Sequence, residues 1–223
     1  MISEQNQNSI SFQAYTLGQT VLKYQVPLEV FNTINKIYET DYFNLMPANK
    51  QLAGKIKKEH SLFFKGKGED ITQNVLPLTT LLWFEKIFSH YLEHTLRFHK
   101  HKKQIASIWV NEMKEHEYNP IHVHQGTLFT GLSSVMILKL PESFGVEYSN
   151  TDLPTNGKLE ILGNSTGYFA TTDYSPKLLQ GDFYVFPYDL RHCVYPFNGP
   201  GFRRTLSCNC DVEYNPIMNR GRD

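Results

Sequence analysis

Hydrophobic positions change their spacing about midway along the chain. Near the N-terminus short alternating runs (Ile10, Phe12, then Val21, Leu22 and Tyr24) predict one or two strands between Ser9 and Gln25. After Pro27, a residue tolerated in a first helical turn, Val30, Phe31, Ile34, Ile37 and Tyr38 recur at helical spacing, which predicts a helix to about Glu39. The stretch from Asn49 to Phe64 is weakly patterned. It reads as a polar connection through Lys57, Lys58, Glu59 and His60 into an apolar segment, broken at Gly66 and Gly68. Pro77 opens the strongest helix, whose apolar stripe (Leu78, Leu81, Phe84, Phe88, Tyr91, Leu92) runs to about His99.

From Ile105 onward the pattern is one of short extended runs separated by turn residues. Strands are expected near 105–113, 119–125, 131–140, 158–163, 166–172, 182–187, 193–197 and 202–212. This predicts a mainly β (α+β) fold, a double-stranded β-helix of the jelly-roll or cupin-like kind. The N-terminal helices would support it by lying on a sheet face. A single domain is expected over 1–223: strands and helices in 1–104, the β-helix core in 105–212 and a tail in 213–223.

Composition narrows this picture only a little. Lys plus Arg and Asp plus Glu number 22 each, so the formal charge is zero and no overall positive field advertises nucleic acid. Hydrophobic residues make up 40 % of the chain, enough for a sizeable core. Three cysteines (Cys193, Cys208, Cys210) are too few for a disulfide framework, and the chain reads as cytosolic. The polar start, Met1 to Asn8, has no signal-peptide character, and no window is apolar enough to span a membrane.

Candidate chemistry concentrates in Asn119-Pro120-Ile121-His122-Val123-His124. Two histidines one residue apart on an extended segment point to the same side, with Cα atoms roughly 6.6 Å apart, so both imidazoles can reach one metal ion. Far downstream His192 follows Gly181-Asp182-Phe183-Tyr184-Val185-Phe186-Pro187, and Arg203-Arg204-Thr205-Leu206-Ser207 comes after it. Neutral imidazole suits iron, copper, nickel or zinc, and three protein ligands leave positions open for reactants. The common non-heme iron set includes a carboxylate, yet position 124 is histidine; the nearest acids are Glu117 and Asp189. Alternation puts Arg203, Thr205, Ser207 and Asn209 on one polar face, and Arg204, treated as a surface charge, on the other with Leu206 and Cys208.

Other features have simpler readings. His90 and His94 stand at the i, i+4 spacing of helical zinc sites, but no third ligand accompanies them. Cys208 and Cys210 read as small core residues, and the basic cluster Lys50 to Lys67 as a solvated run. Trp109 reads as core.

In the order and spacing of these anchors the sequence resembles the 2-oxoglutarate- and iron(II)-dependent oxygenases, in particular prolyl-hydroxylase-like members found among phage and bacterial proteins. The resemblance spans roughly Ile105 to Val212, and Leu52-Ala53-Gly54 adds a weaker match. It implies an Fe(II)- and 2-oxoglutarate-dependent dioxygenase that hydroxylates a protein residue, a small metabolite or a nucleobase. By position, His122 matches the first iron ligand and His192 the distal one. Arg203 matches the residue that holds the far carboxylate of 2-oxoglutarate, with Thr205 as its hydroxyl partner. The family's carboxylate ligand has no counterpart at position 124, so His124 is either a third ligand or an outer hydrogen-bond donor. Asn119, Asn111 and Tyr118 are candidate contacts to cosubstrate or substrate. Two other readings stay open: a three-histidine metal dioxygenase that does not use 2-oxoglutarate, and a catalytically silent β-helix that binds a ligand or partner.

Overall fold

The computed structural model describes residues 10–17, 19–48, 53–66, 71–147, 154–164, 167, 168, 170 and 172–214. Two sheets carry the fold. The larger has eight strands in the order β1 (Phe12–Leu17), β2 (Gln19–Gln25), β10 (Asp182–Pro187), β7 (Gly131–Lys139), β12 (Phe202–Tyr214), β5 (His101–Lys114), β3 (Lys58–Lys65) and β4 (Ile71–Asn74). The smaller has four, in the order β6 (Asn119–His122), β11 (Arg191–Val194), β8 (Leu159–Leu162) and β9 (Asp173–Tyr174). All strand pairs are antiparallel. Helices α1 (Leu28–Asp41) and α2 (Leu78–His94), with a 3-10 turn at Tyr42–Asn44, are the helical elements among the described residues. This is a double-stranded β-helix with helical support, mainly β as expected.

Strand alternation sorts the side chains of the large sheet into two cores. Tyr24, Val110, Met136, Phe183 and Leu206 pack with Ile34, Phe84, Phe88 and Tyr91 of the two helices. Their odd-and-even neighbours Val21, Met113, Ile137, Tyr184 and Phe186 pack with Leu159, Ile161, Leu190 and Val194 of the small sheet and the turn before it. Cys208 and Cys210 lie in the helix-covered apolar core as free thiols.

Several boundaries depart from the sequence pattern, each for a local reason. Helix α2 stops at His94, short of His99, because Arg97 takes a left-handed φ of 56° and the Phe98 N–H reaches back to the Leu92 carbonyl at 2.8 Å. The bond turns the chain off the helix and satisfies a carbonyl that the helix end would otherwise leave bare. The segment Lys58–Lys65, read as a connection, is a strand between β4 and β5. Its charges hid it: Lys58 pairs with Glu112 at 3.2 Å, while the His60 ring lies edge-on to Tyr42 with centroids 4.5 Å apart. Strand β6 ends at His122 rather than 125, and β11 covers 191–194 rather than 193–197. Of the strand expected at 166–172, residues 167, 168, 170 and 172 are not extended, and the paired residues are Asp173 and Tyr174. β12 runs to Tyr214, past the start of the expected tail, and 215–223 lie outside the described residues, as do Met1 to Asn8 and 49–52.

Arg204 also departs from expectation. It is no surface charge: only 5 % exposed, it donates to Glu112 Oε2 through Nε (3.1 Å) and Nη2 (2.9 Å) and to Glu39 Oε1 through Nη1 (2.9 Å). Its guanidinium stacks over Tyr38, 4.7 Å from the ring centroid. The group joins β12, β5 and α1, so truncating it removes the bidentate partner of the buried Glu112 carboxylate and leaves it only Lys58. Arg204→Ala is expected to lower unfolding free energy by about 3 kcal/mol in urea denaturation. A loss below about 0.5 kcal/mol would place the pair with surface ion pairs instead.

Candidate metal and cosubstrate site

Pairing in the small sheet brings the histidines together. β6 runs antiparallel to β11 with His122 directly opposite His192. Pro120 is allowed in β6 because that strand is the edge of its sheet and one missing N–H breaks no inner ladder. Two residues beyond the strand end, His124 sits on the loop to β7, and its N–H donates to the Tyr188 carbonyl at 2.9 Å. Ring centroids are 4.3 Å (His122–His192), 4.9 Å (His124–His192) and 5.0 Å (His122–His124) apart. One nitrogen from each ring lies within 4.8 Å of the others. The three side chains therefore converge although only two of them are on strands.

Their hydrogen bonds set the tautomers. A carbonyl only accepts, so His122 Nδ1–H donates to the Pro120 carbonyl (2.7 Å) and His192 Nδ1–H to the Leu190 carbonyl (3.0 Å). Each of those rings then offers a bare Nε2, as a metal ligand must. His124 Nε2 lies 3.0 Å from His192 Nε2. With the His192 proton committed elsewhere, that approach is closed by a proton on His124 or by both lone pairs facing one cation. Burial depresses all three basicities: His192 falls to about 3, His124 well below the ordinary histidine range with further help from the neighbouring rings, and His122 below it. The rings are neutral near pH 7, the ligating form.

The cluster opens into a cavity of about 420 Å³ between the two sheets. Arg203, Thr205, Ser207 and Asn209 of β12 line it, as alternation predicted, together with Trp109 and Asn111 of β5. Arg203 is 3 % exposed, and its Nε and Nη2 have no hydrogen-bond partner among the described residues. Burial lowers its pKa to about 10, so it remains a cation near neutral pH. A buried cation without a counter-charge is costly, and an anion bound in the cavity would relieve it. Trp109 Nε1, Asn111 Oδ1 and Asn119 Oδ1 are likewise buried without partners among the described residues.

The structure thus places His122, His124, His192, Arg203, Thr205, Asn111 and Asn119 around one cavity. Tyr118 is not in its lining; that residue is 41 % exposed and its carbonyl accepts the Lys55 N–H at 2.9 Å. Trp109, read as core, faces the site with its ring 5.8 Å from His124. The nearby acids are occupied: Glu117 accepts the Lys57 and Lys114 N–H groups, and Asp189 accepts from Gln19. His90 is taken up by the Tyr24 hydroxyl at 3.0 Å.

Sequence reasoning missed Ile56 and Glu59, which with Ala53 of the weaker Leu52-Ala53-Gly54 match close the cavity from the N-terminal half. Gly54, at φ +120°, is what lets that segment cross the site, since a Cβ there would lie 2.9 Å from the Tyr118 carbonyl oxygen. Glu59, opposite Asn111 in the β3–β5 ladder and 3 % exposed, could have been found by extending strand alternation back from β5. Burial, then repulsion from Glu117, raises its pKa to about 7.

The double-stranded β-helix thus holds three convergent imidazoles beside a buried arginine, a donor set that could hold a metal ion. The family match is specific: residues 107–209, which carry every one of those side chains, match the family model described as a putative 2OG-Fe(II) oxygenase. Over that segment, just under half of its length, the chain is similar to the 2-oxoglutarate/Fe(II)-dependent oxygenases. Solved structures share the fold. A prolyl-4-hydroxylase from Pseudomonas putida superposes with TM-score 0.51 at 13 % identity, covering 92 % of both chains. A prolyl hydroxylase from Trichoplax adhaerens, in complex with a hypoxia-inducible-factor peptide fragment, gives 0.56 at 10 % identity over 92 % of this chain and 86 % of that one. HygX from Streptomyces hygroscopicus, with nickel, 2-oxoglutarate and hygromycin B bound, gives 0.53 at 9 % identity over 87 % and 83 %. No curated protein matches the sequence. Among the described residues no helix is long and apolar enough to cross a membrane.

The raised Glu59 pKa carries a stability signature. Because the folded-state value (about 7) lies above the unfolded one (4.5), the protonated acid's contribution is complete below pH 4.5 and is lost as pH rises through 7. Between pH 5 and pH 8 the Tm should therefore fall in the wild type, by roughly a few degrees, and fall less in Glu59→Gln. Differential scanning calorimetry across that range checks this, and parallel profiles for the two proteins would show that Glu59 ionises normally.

Proposed function

We propose that the three histidines hold Fe(II), that Arg203 and Thr205 hold the far carboxylate of 2-oxoglutarate, and that the enzyme hydroxylates a residue of a polypeptide. The observation that carries this reading is Arg203, a buried guanidinium with Nε and Nη2 unpartnered among the described residues, opening into the same cavity as the imidazole cluster. The residues fit both groups. Three neutral nitrogens within 4.8 Å suit a divalent transition metal, and a planar fork suits a carboxylate bidentately.

Fe(II) with 2-oxoglutarate supplies the oxidising power for hydroxylation, through reduction of dioxygen and oxidation of the cosubstrate. The chain's own residues do the rest. Arg203 and Thr205, two apart on β12, present a cation and a hydroxyl on one face, which fixes the cosubstrate's depth and orientation. Ile56, Met113, Val135 and Val194 line the cavity and keep water from competing for the buried charges. Asn111 and Asn119 present unpartnered amide oxygens that an N–H or O–H donor of a bound substrate would satisfy.

A larger groove, about 1190 Å³, continues from the cavity along the same sheet face, and Trp109, Gln125 and Asn209 line both. The cavity has room for the cosubstrate and one side chain, and the groove accommodates what lies on either side of it. That continuity favours a residue within a longer chain over a free metabolite or nucleobase. An unstructured polypeptide should stimulate 2-oxoglutarate turnover and free amino acids should not; equal stimulation by both would point to a metabolite.

The all-histidine set supports one competing reading, a three-histidine dioxygenase that needs no 2-oxoglutarate. Calorimetry separates the two. With Fe(II) or an inert substitute metal, 2-oxoglutarate should bind the wild type, and Arg203→Ala should weaken it by about 2–5 kcal/mol, the scale for breaking a buried charge pair. Absence of binding by the wild type would remove 2-oxoglutarate and leave the three-histidine enzyme or a silent binding module. His192→Ala should abolish stoichiometric metal binding in either enzyme, whereas His90→Ala should leave it unchanged.

A further inference from the structure

Of the three histidines, His124 alone lies beyond the end of its strand, so pairing does not fix its position. The loop that carries it is nevertheless held, chiefly through one carboxylate. Asp211 of β12, 6 % exposed, accepts the Thr127 N–H through Oδ2 (2.9 Å) and the Tyr188 hydroxyl through Oδ1 (3.1 Å). Tyr188 is the residue whose carbonyl accepts the His124 N–H. Gly126, one residue before Thr127, lies so close that a Cβ there would collide with the Asp211 carboxylate. At the far end of the loop Thr130 donates its hydroxyl to the Val212 carbonyl (2.7 Å), and the Val212 N–H returns a bond to the Thr130 carbonyl (3.0 Å). Among the described residues no lysine or arginine forms an ion pair with Asp211. A buried carboxylate bonded only to neutral donors is poorly suited to adding stability but well suited to fixing two segments against each other.

We propose that Asp211 is a positioning residue for the metal centre, locking His124 into the ligand triangle through Tyr188 on one side and Thr127 on the other. The inference rests on the reading of the three histidines as metal ligands. The same turn serves His192, whose Nδ1–H is held by the Leu190 carbonyl two residues past Tyr188. One carboxylate on the large sheet therefore sets the loop ligand relative to a strand ligand of the small sheet. Groups that orient a ligand without touching the metal typically change affinity about 10–100-fold when removed.

Co(II) is the probe, titrated by its d–d absorption into the wild type, Asp211→Ala, His124→Ala and the double variant, with a melting curve for each. Asp211→Ala should bind Co(II) at least about 10-fold more weakly than wild type and shift its d–d bands. In the His124→Ala background the same substitution should change affinity by less than about 2-fold, because the ligand it positions is gone. If Asp211→Ala does not fold, Tyr188→Phe takes its place, with an expected weakening of about 3-fold in the wild-type background and none without His124. Equal losses in both backgrounds, or no loss in either, would overturn the proposal, whatever the melting temperatures. A wild type that binds no Co(II) would overturn the ligand reading itself, and the role of Asp211 with it.

Discussion

The hydrogen-bonded register between β6 and β11 is the constraint on which the site depends. It sets His122 opposite His192 across the small sheet, although seventy positions separate them in sequence. A one-residue slip would turn one of the two rings to the other face. The register is fixed on its far side as well, because β11 also pairs with β8, whose Leu159 and Ile161 are fully buried against the large sheet. Core packing of apolar side chains thus decides where two polar ones meet. The carbonyls of Pro120 and Leu190 then fix each ring's tautomer so that its free nitrogen faces the cavity.

Strand β12 shows how one element serves stability and binding together. Adjacent arginines leave it in opposite directions. Arg204 enters the helix-covered side and is satisfied by Glu112 and Glu39. Arg203 enters the cavity, with two of its nitrogens unpartnered among the described residues. The first is a finished contact; the second leaves two buried donors open to the cavity. The difference follows from period-two alternation and from what each face of the sheet meets.

Much of this was legible without the fold. Alternation in Arg203-Arg204-Thr205-Leu206-Ser207 assigns each side chain a face, and the H-x-H spacing together with a distant histidine narrows the metal chemistry to few options. The long apolar stripe of α2 required a sheet to lie on, and short runs with turn residues between them required a β-rich core. Charged residues obscured the rest. Lys58, Glu59 and His60 look solvated in sequence, yet one is ion-paired, one lines the cavity and one packs against aromatic rings.

By itself the sequence determined both helices, most of the strands with the inward face of each, and the kinds of donor available, because those follow from local periodicity and side-chain chemistry. Tertiary structure alone decided which donors meet. His124 joins the cluster from a loop, held by Tyr188 and anchored to Asp211 87 positions later in the chain, and no periodicity extends past the end of β6 to place it. Glu59 reaches the cavity because β3 pairs with β5, Ile56 follows the bridge of Lys55 to Tyr118, and the burial of Arg204 depends on its bond to Glu39 of α1. These are contacts between residues distant in sequence, fixed by strand pairing and packing rather than by any local preference of the chain.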